Sequence, residues 1–306
     1  MYSKENIIRD IKALGVVPGD MVFLRVSYKS IGKVEGGPQT VLDAIMEVVG
    51  CNGTIIATAF PKRIQSFGHR YKKKAISKLD NKPATGVLPV LMVQHPNSFL
   101  SKNSNTPYVI IGRDANIIAN AHTNDKDAYY IVEYIIKNYH PKCLRIGGRV
   151  LDGTTHLAFS DGLKNTNSYQ LRVGEGMYCK EDSGDVVWCS KNVSSFCYDK
   201  FEEFFNTHLR DKAVLAEGKV GNGSAMITDM AKTNEIEYLY IAKDPTVLQC
   251  SNPHCVECRC AYSFSENSIL GYIWKEIKFW IRTHDKKSIN RIKDALKLLL
   301  FGERCQ

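Results

Sequence analysis

Three stretches hold side chains whose type and spacing suit chemistry. In "VLDGTTHLAF", from Val150 to Phe159, His156 follows a "GTT" run just beyond an apolar segment ending in glycine. A neutral imidazole placed after a strand end is well suited to take a proton near neutral pH. In "VSYKSIGKVEGGPQT", from Val26 to Thr40, hydroxyls and glycines join a strand to a helix. Gly36 and Gly37 let a ligand approach the backbone N–H groups at the helix start, a geometry that binds phosphate. It lacks the GxxxxGK[ST] spacing of a nucleoside-triphosphate loop and the GxGxxG of a dinucleotide turn. In "CSNPHCVECRC", Cys250, Cys255, Cys258 and Cys260 fall within one short run that includes a CxxC pair, the knuckle that offers two thiolates to zinc.

These residues need a scaffold, and the order of elements supplies an α/β one. "SKENIIRDIKALGV" spaces Ile7, Ile8, Ile11 and Leu14 at helical intervals behind Ser3 as N-cap, and "MVFLRVSY" follows as a strand. A helix "PQTVLDAIMEVVG", bounded by Pro38 and Gly50, precedes a strand "GTIIATAF", so a crossover connection is expected. Further strands are expected at "YVIIG" and "CLRIGG", with the helix "DAYYIVEYIIKNYH" between them. Asn165 to Val193 alternates polar and apolar residues as antiparallel strands do, and the helix "YDKFEEFFNTHLR" comes next. The fold class read from this order is α/β, a central mixed β-sheet flanked by helices, with a Cys-rich and helical C-terminal appendage. Residues 1–246 form the core and 247–306 the appendage, packed on it.

Composition narrows the function. The chain has 306 residues, 44% hydrophobic and 24% charged, enough for a sizeable core, and its net charge of +9 favours anionic partners. Its charged opening reads as neither signal peptide nor membrane anchor, and ten cysteines spread over so long a chain suit reduced thiols, so a cytoplasmic location is expected.

The motifs "LGVVPGDMVFLRVSYKSIGKVEGGPQTVLDAI", "GTIIATAF", "TGVLPVLM", "GTTHLAF" and "EGKVGNGSAMI", in that order, resemble the aminoglycoside 3-N-acetyltransferase (antibiotic acetyltransferase) superfamily over most of Leu14 to Ile227. The resemblance implies acyl transfer from coenzyme A to a sugar amine, with the coenzyme held at the first motif. Against the family's usual "VHSSLRSLGxVxGG", Ser27, Ser30, Gly32, Gly36 and Gly37 match, while Arg25 stands where histidine is common. Against "DxNTSLHxAE" the histidine is retained, the run before it is shorter, and Phe159 falls where the acid would be.

The resemblance implies that His156 is the general base. An amine largely protonated at neutral pH requires one. Asp152, ahead of Asp161, is the acid expected to orient the imidazole. Ser27, Thr154, Thr155 or backbone N–H groups near Gly36 are candidates to stabilise the oxyanion. Thr154, Thr155 and Arg149 are read as substrate-binding residues. Attack is expected to be direct, since none of the cysteines lies in a matched motif.

The basic balance favours an acceptor that carries phosphate. One branch of the superfamily acylates nucleotide-linked amino sugars in surface-polysaccharide pathways such as O-antigen and lipopolysaccharide biosynthesis, including 3-hydroxybutanoyl transfer to a dTDP-linked 3-amino-3,6-dideoxyhexose. Such a substrate would meet Lys29, Lys33, Lys62, Arg63 or Arg149. Aminoglycoside 3-N-acetylation is the alternative. A non-enzymatic alternative is a zinc-containing RNA- or membrane-binding module.

The cysteine run is read as a structural zinc site of Cys250, Cys255, Cys258 and Cys260, or with Cys189 or Cys197 replacing one of them. Free thiols are the competing reading. The tail "LGYIWKEIKFWIRTHDKKSINRIKDALKLLLF" has helical periodicity, consistent with packing or a homodimer interface, or with association at a membrane surface. Nucleic acid is not an expected partner, and no transmembrane segment is expected.

Overall fold

The computed structural model describes residues 1–62, 64–65, 83–148, 153–180, 183–190 and 195–305. Arg63, Arg149 and Asp152 lie outside the described residues, as does the side chain of Cys189.

The chain opens with α1 (Lys4–Ala13), β1 (Met21–Val26), the short α2 (Tyr28–Ile31), α3 (Pro38–Val49), β2 (Thr54–Thr58) and β3 (Ile64–Gln65). Next come α4 (Val87–Gln94), β4 (Ser98–Leu100), β5 (Tyr108–Gly112), α5 (Ala115–Ala121), α6 (Tyr130–Asn138), β6 (Lys142–Ile146) and α7 (Thr154–Asn165). Strands β7 (Gln170–Val173), β8 (Glu175–Lys180) and β9 (Val186–Ser190) lead to α8 (Tyr198–Phe204), a π-helical turn Phe205–Leu209, and α9 (Arg210–Ala213). The remainder is β10 (Val214–Val220), β11 (Gly223–Asp229), α10 (Met230–Tyr240), a 3-10 turn Pro245–Leu248, α11 (Val256–Cys260), α12 (Ile269–Thr283), α13 (Lys286–Phe301) and β12 (Gly302–Cys305).

A seven-stranded sheet runs β10-β11-β6-β1-β2-β5-β4. Its centre is parallel, with β1 flanked by β2 and β6, and antiparallel strands complete both sides. Strand residues alternate between the two faces. Val22, Leu24 and Ile55 pack with α1, α3 and α4, whereas Phe23, Ile56 and Ile110 pack with α5 and α6. Burial on both faces explains why β1 and β2 are nearly all apolar, as central parallel strands must be when helices cover each side. The mixed α/β architecture expected from the order of elements is present.

Local signals act where expected at α1, whose Ser3 forms a capping box with Asn6, and at α3, with Pro38 in its first turn and Gly50 as C-cap. Two segments differ from the sequence expectation. His156, read only as following a strand end, lies in the first turn of α7, and the strands expected from Asn165 begin only at Gln170 because that helix runs to Asn165.

A third core gathers Phe159 and Leu163 of α7, Phe196, Phe201, Phe204 and Phe205, Ile236 and Tyr262. Residues beyond 246 therefore help bury the helix that carries His156. The same region also pairs β12 with β7 and bridges Tyr262 to Gln170. Within the tail, α12 and α13 bury Tyr272 and Ala295 and leave Trp274, Trp280 and Leu300 exposed. Among the described residues no helix is long and apolar enough to cross a membrane.

Candidate active site and thiol cluster

A cleft of about 640 Å³ opens at the C-terminal ends of β1, β2 and β6. This is where ligands bind in open α/β sheets, because the loops that leave parallel strands diverge there. Leu24 to Lys29 form one wall, Ala57 and Thr58 another, and Gly147 and Gly148 close the end of β6. Pro38 at the start of α3 and Val87 to Pro89 at the start of α4 complete the lining. Both helices begin at a positive-φ glycine, Gly37 and Gly86, with no side chain capping them. The first N–H groups of a helix have no partner within it, so two helix starts at one cleft create a field that favours anions. Arg25 and Lys29 on the β1 wall add formal positive charge.

The residues expected to hold a coenzyme take distinct places. Ser27 lines the cleft. Ser30 sits behind it, its hydroxyl donating to the Ser27 carbonyl at 2.7 Å and thereby fixing the turn. Gly32 (φ +94°) faces the β10–β11 turn, where an added Cβ would come within 2.8 Å of Asn222. Gly36 and Gly37 shape the entry to α3, and a Cβ on Gly36 would lie 2.5 Å from the Thr40 hydroxyl. Neither Lys33 nor Lys62 is among the residues lining the cleft, and both are exposed.

His156 lies in the first turn of α7, the helix that follows β6 in the chain. It is 8% exposed. Its ring stacks on Tyr129 at 4.5 Å and 19° and meets Phe196 at 4.8 Å on a tilted approach. Gly153 precedes the helix with φ +101°, and a Cβ there would press within 3.2 Å of both Val132 and Tyr129. The glycine thus allows Tyr129 to approach the histidine. Thr155 donates its hydroxyl to Glu237 at 2.5 Å, both residues being fully buried, which ties α7 to α10. Thr154 is also fully buried.

Asp161 lies five residues along α7 from His156, about 140° round the helix. It accepts hydrogen bonds from the Tyr238 hydroxyl at 2.5 Å and from Lys164 at 3.3 Å. Those contacts give it a role in holding α10 against α7. Phe159 is fully buried between Phe196 and Tyr262, at 5.8 and 5.7 Å. A carboxylate could not occupy that apolar place without a large desolvation cost.

"TGVLPVLM" entered only as a motif of the resemblance, with no site residue named in it, yet its glycine and helix start form one side of the cleft. Tyr129 and Phe196, which frame His156, were also missed. Gly86 followed by an apolar run was the available signal for the first, and nothing in local spacing marks the second.

The cysteine set is the alternative in which Cys197 replaces one member of the run, here Cys260. The sulfur atoms of Cys197, Cys250, Cys255 and Cys258 all lie within 4.8 Å of one another. Cys260 turns away, its thiol donating to the Val256 carbonyl at 3.4 Å, and burial pushes that thiol up to about 12. The helical turn of α11 is the reason, since Cys258 and Cys260, two residues apart, project from different sides of it.

Residues 23–130 match the family model described as aminoglycoside 3-N-acetyltransferase. Aminoglycoside N(3)-acetyltransferase VIII of Streptomyces fradiae is 28% identical over 138 residues, 40% of this chain and 48% of the relative. Aminoglycoside N(3)-acetyltransferase III of Serratia marcescens is 41% identical over 59 residues, covering 19% of this chain and 22% of the relative. The chain thus matches about half or less of these relatives' length. Among solved structures, sisomicin-bound AAC-VIa superposes with a TM-score of 0.65 at 22% identity, covering 79% of this chain and 98% of that one. AAC-IIIb in a binary complex with CoASH gives 0.67 at 18% identity, with 79% and 96% covered. The fold is shared along nearly the whole length of those enzymes.

Proposed function

We propose, on the premise of a fold shared with aminoglycoside acetyltransferases, that this chain is an acyl-coenzyme A-dependent N-acyltransferase acting on the amine of an amino sugar. The observation that carries the reading is the cleft at the ends of β1, β2 and β6, framed by two helix starts and two cations and followed in the chain by α7, which carries His156 in its first turn. The solved relatives that hold CoASH or sisomicin support it.

The lining fits the coenzyme. Gly148 faces open space, with nothing within 4 Å of an added Cβ, so the end of β6 leaves room for an extended arm. The starts of α3 and α4 with Arg25 and Lys29 would hold the phosphates, and Ser27, on the β1 wall, would hold the arm. When bound, the thioester supplies an activated acyl group. His156 takes the proton from the amine as its nitrogen attacks the acyl carbon, and Tyr129 and Phe196 fix the plane of the imidazole while keeping water from it. Coenzyme A departs as the C–S bond breaks, its thiolate taking up the proton that His156 accepted from the amine, which returns the imidazole to its neutral form. Asp152 remains the proposed partner of the imidazole and Arg149 a proposed acceptor contact. Thr155, bound to Glu237, contributes by holding the helix, and Thr154 lies beside it in the same buried turn.

For the acceptor, aminoglycoside acetylation is better supported than acylation of a nucleotide-linked amino sugar. The curated relatives are aminoglycoside N(3)-acetyltransferases. Of the cations that suggested an acceptor phosphate, Lys29 lines the cleft, beside Arg25, where the coenzyme's own phosphates account for both. The test is release of coenzyme A thiol from acetyl-coenzyme A in the presence of sisomicin, gentamicin, or a dTDP-linked 3-amino-3,6-dideoxyhexose. Turnover with the aminoglycosides is expected. Thiol release only with the nucleotide-linked sugar would restore the surface-polysaccharide reading, and failure to bind acetyl-coenzyme A would overturn both.

A further inference from the structure

We propose that Cys197, Cys250, Cys255 and Cys258 bind one zinc ion as a tetrathiolate that staples the connection between β9 and α8 to the segment following Leu248. The four sulfurs come from two stretches far apart in sequence and lie within 4.8 Å of one another. A tetrahedral zinc with Zn–S bonds of about 2.3 Å requires sulfur–sulfur edges of about 3.8 Å, so the present spacing closes onto the ion by small side-chain adjustments. A disulfide would join one pair and leave two buried or half-buried thiols beside it. Hard cations such as calcium and magnesium select oxygen donors, which this set lacks.

The surroundings hold the loop in place without the ion. Arg259, 8% exposed, donates Nε to the Asn252 carbonyl at 3.0 Å and its guanidinium also reaches the Cys250 carbonyl. That clamp fixes the backbone on which Cys250 and Cys255 sit. The backbone N–H of Cys250 donates to the Cys258 sulfur at 3.3 Å, a contact that offsets thiolate charge. His254 lies between two of the cysteines and offers a nitrogen ligand, yet it is diverted: its Nδ1 is 2.5 Å from Glu276, which is fully buried and held by Arg291 at 2.8 Å. The donor set is therefore all sulfur. Cys197 and Cys258 are buried while Cys250 and Cys255 are partly exposed, which gives the metal a way in. Cys197 adjoins Phe196 in the chain, so the staple ends next to the ring that packs on His156.

The experiment uses the full chain, produced with zinc in the medium and purified without chelator. Elemental analysis is expected to find one zinc per chain. Exchange into cobalt(II) should give the thiolate-to-metal charge-transfer absorption and intense visible bands of a tetrahedral sulfur site, with no variant required. Cys197→Ser and Cys258→Ser should lose the metal, Cys197→His should retain it, and Cys260→Ser should bind as the parent does. Metal-free protein with four titratable thiols or a disulfide among them would overturn the proposal, as would iron in place of zinc. Loss of zinc in Cys260→Ser with retention in Cys197→Ser would overturn the assignment of the ligands.

Discussion

Two substitutions at His156 separate a base from a packing ring. The imidazole is 8% exposed and touches Tyr129 at 4.5 Å and Phe196 at 4.8 Å. Each aromatic contact contributes about 0.5–1.5 kcal/mol beyond area burial, so His156→Asn forfeits about 1–3 kcal/mol and His156→Phe retains most of it. For a chain of this size about 2–4 °C of melting temperature accompanies each kcal/mol, which places the Asn variant roughly 2–12 °C below the parent. The Phe variant should melt within a few degrees of it. Neither loss approaches the 5–15 kcal/mol of a typical native state, so both proteins fold. Turnover behaves differently. Removing a general base costs about 10²–10⁴ in kcat, or about 2.7–5.5 kcal/mol of barrier, and both variants lose it equally. The assay is thiol release from acetyl-coenzyme A with gentamicin, paired with calorimetric coenzyme affinity and a melting curve. A folded His156→Phe protein turning over within a few-fold of the parent would show that the ring packs and does nothing else.

Three further outcomes are expected. Gly148→Leu puts a side chain into open space at the cleft and should weaken acetyl-coenzyme A binding by at least about tenfold, near 1.4 kcal/mol; unchanged affinity by calorimetry would place the coenzyme elsewhere. Gly147→Ala drives a Cβ to 2.2 Å from the Ser30 hydroxyl, so it should destabilise the fold by about 1–3 kcal/mol, and adding Ser30→Gly should recover part of that in denaturant melts; absence of any recovery would show that the positive φ alone sets the cost. Burial lowers the His122 pKa from 6.5 to about 4. Because the folded pKa is depressed, its contribution is complete above pH 6.5 and is lost as pH falls towards 4, reaching about 2 kcal/mol of lost stability at pH 5. Denaturant melts at pH 7 and 5 should show that loss in the parent and much less in His122→Gln, and equal losses would contradict it.

Much of the sheet was legible because its signals are local. The apolar runs of β1, β2 and β5 and the caps of α1 and α3 each act over a few residues. The helix carrying His156 was not legible, because glycine breaks its interior at Gly162 and no side chain caps its start. Gly162 is demanded by a distant element: a Cβ there would meet the Ile241 carbonyl at 2.4 Å. Propensity was overridden by the close approach of two segments. Cys197 was legible only as one of two remote alternatives, beside Cys189. No spacing rule joins it to Cys250, since only the folding of the third core brings them together. His156 stood out by residue type and neighbours, whereas Tyr129 and Phe196 are ordinary aromatics until the fold sets them on either side of it.

The contact between Phe159 and Tyr262 has a consequence for synthesis on the ribosome. The central sheet from β1 to β6 can assemble from the first half of the chain, but the helix that carries His156 cannot cover its phenylalanine until Tyr262 has left the exit tunnel. At 5–20 residues per second that interval is about 5–20 s, long compared with helix formation and collapse. During it the nascent chain exposes an aromatic face beside a formed sheet edge. Whatever binds such surfaces in the cell meets this protein before the helix carrying His156 is in place.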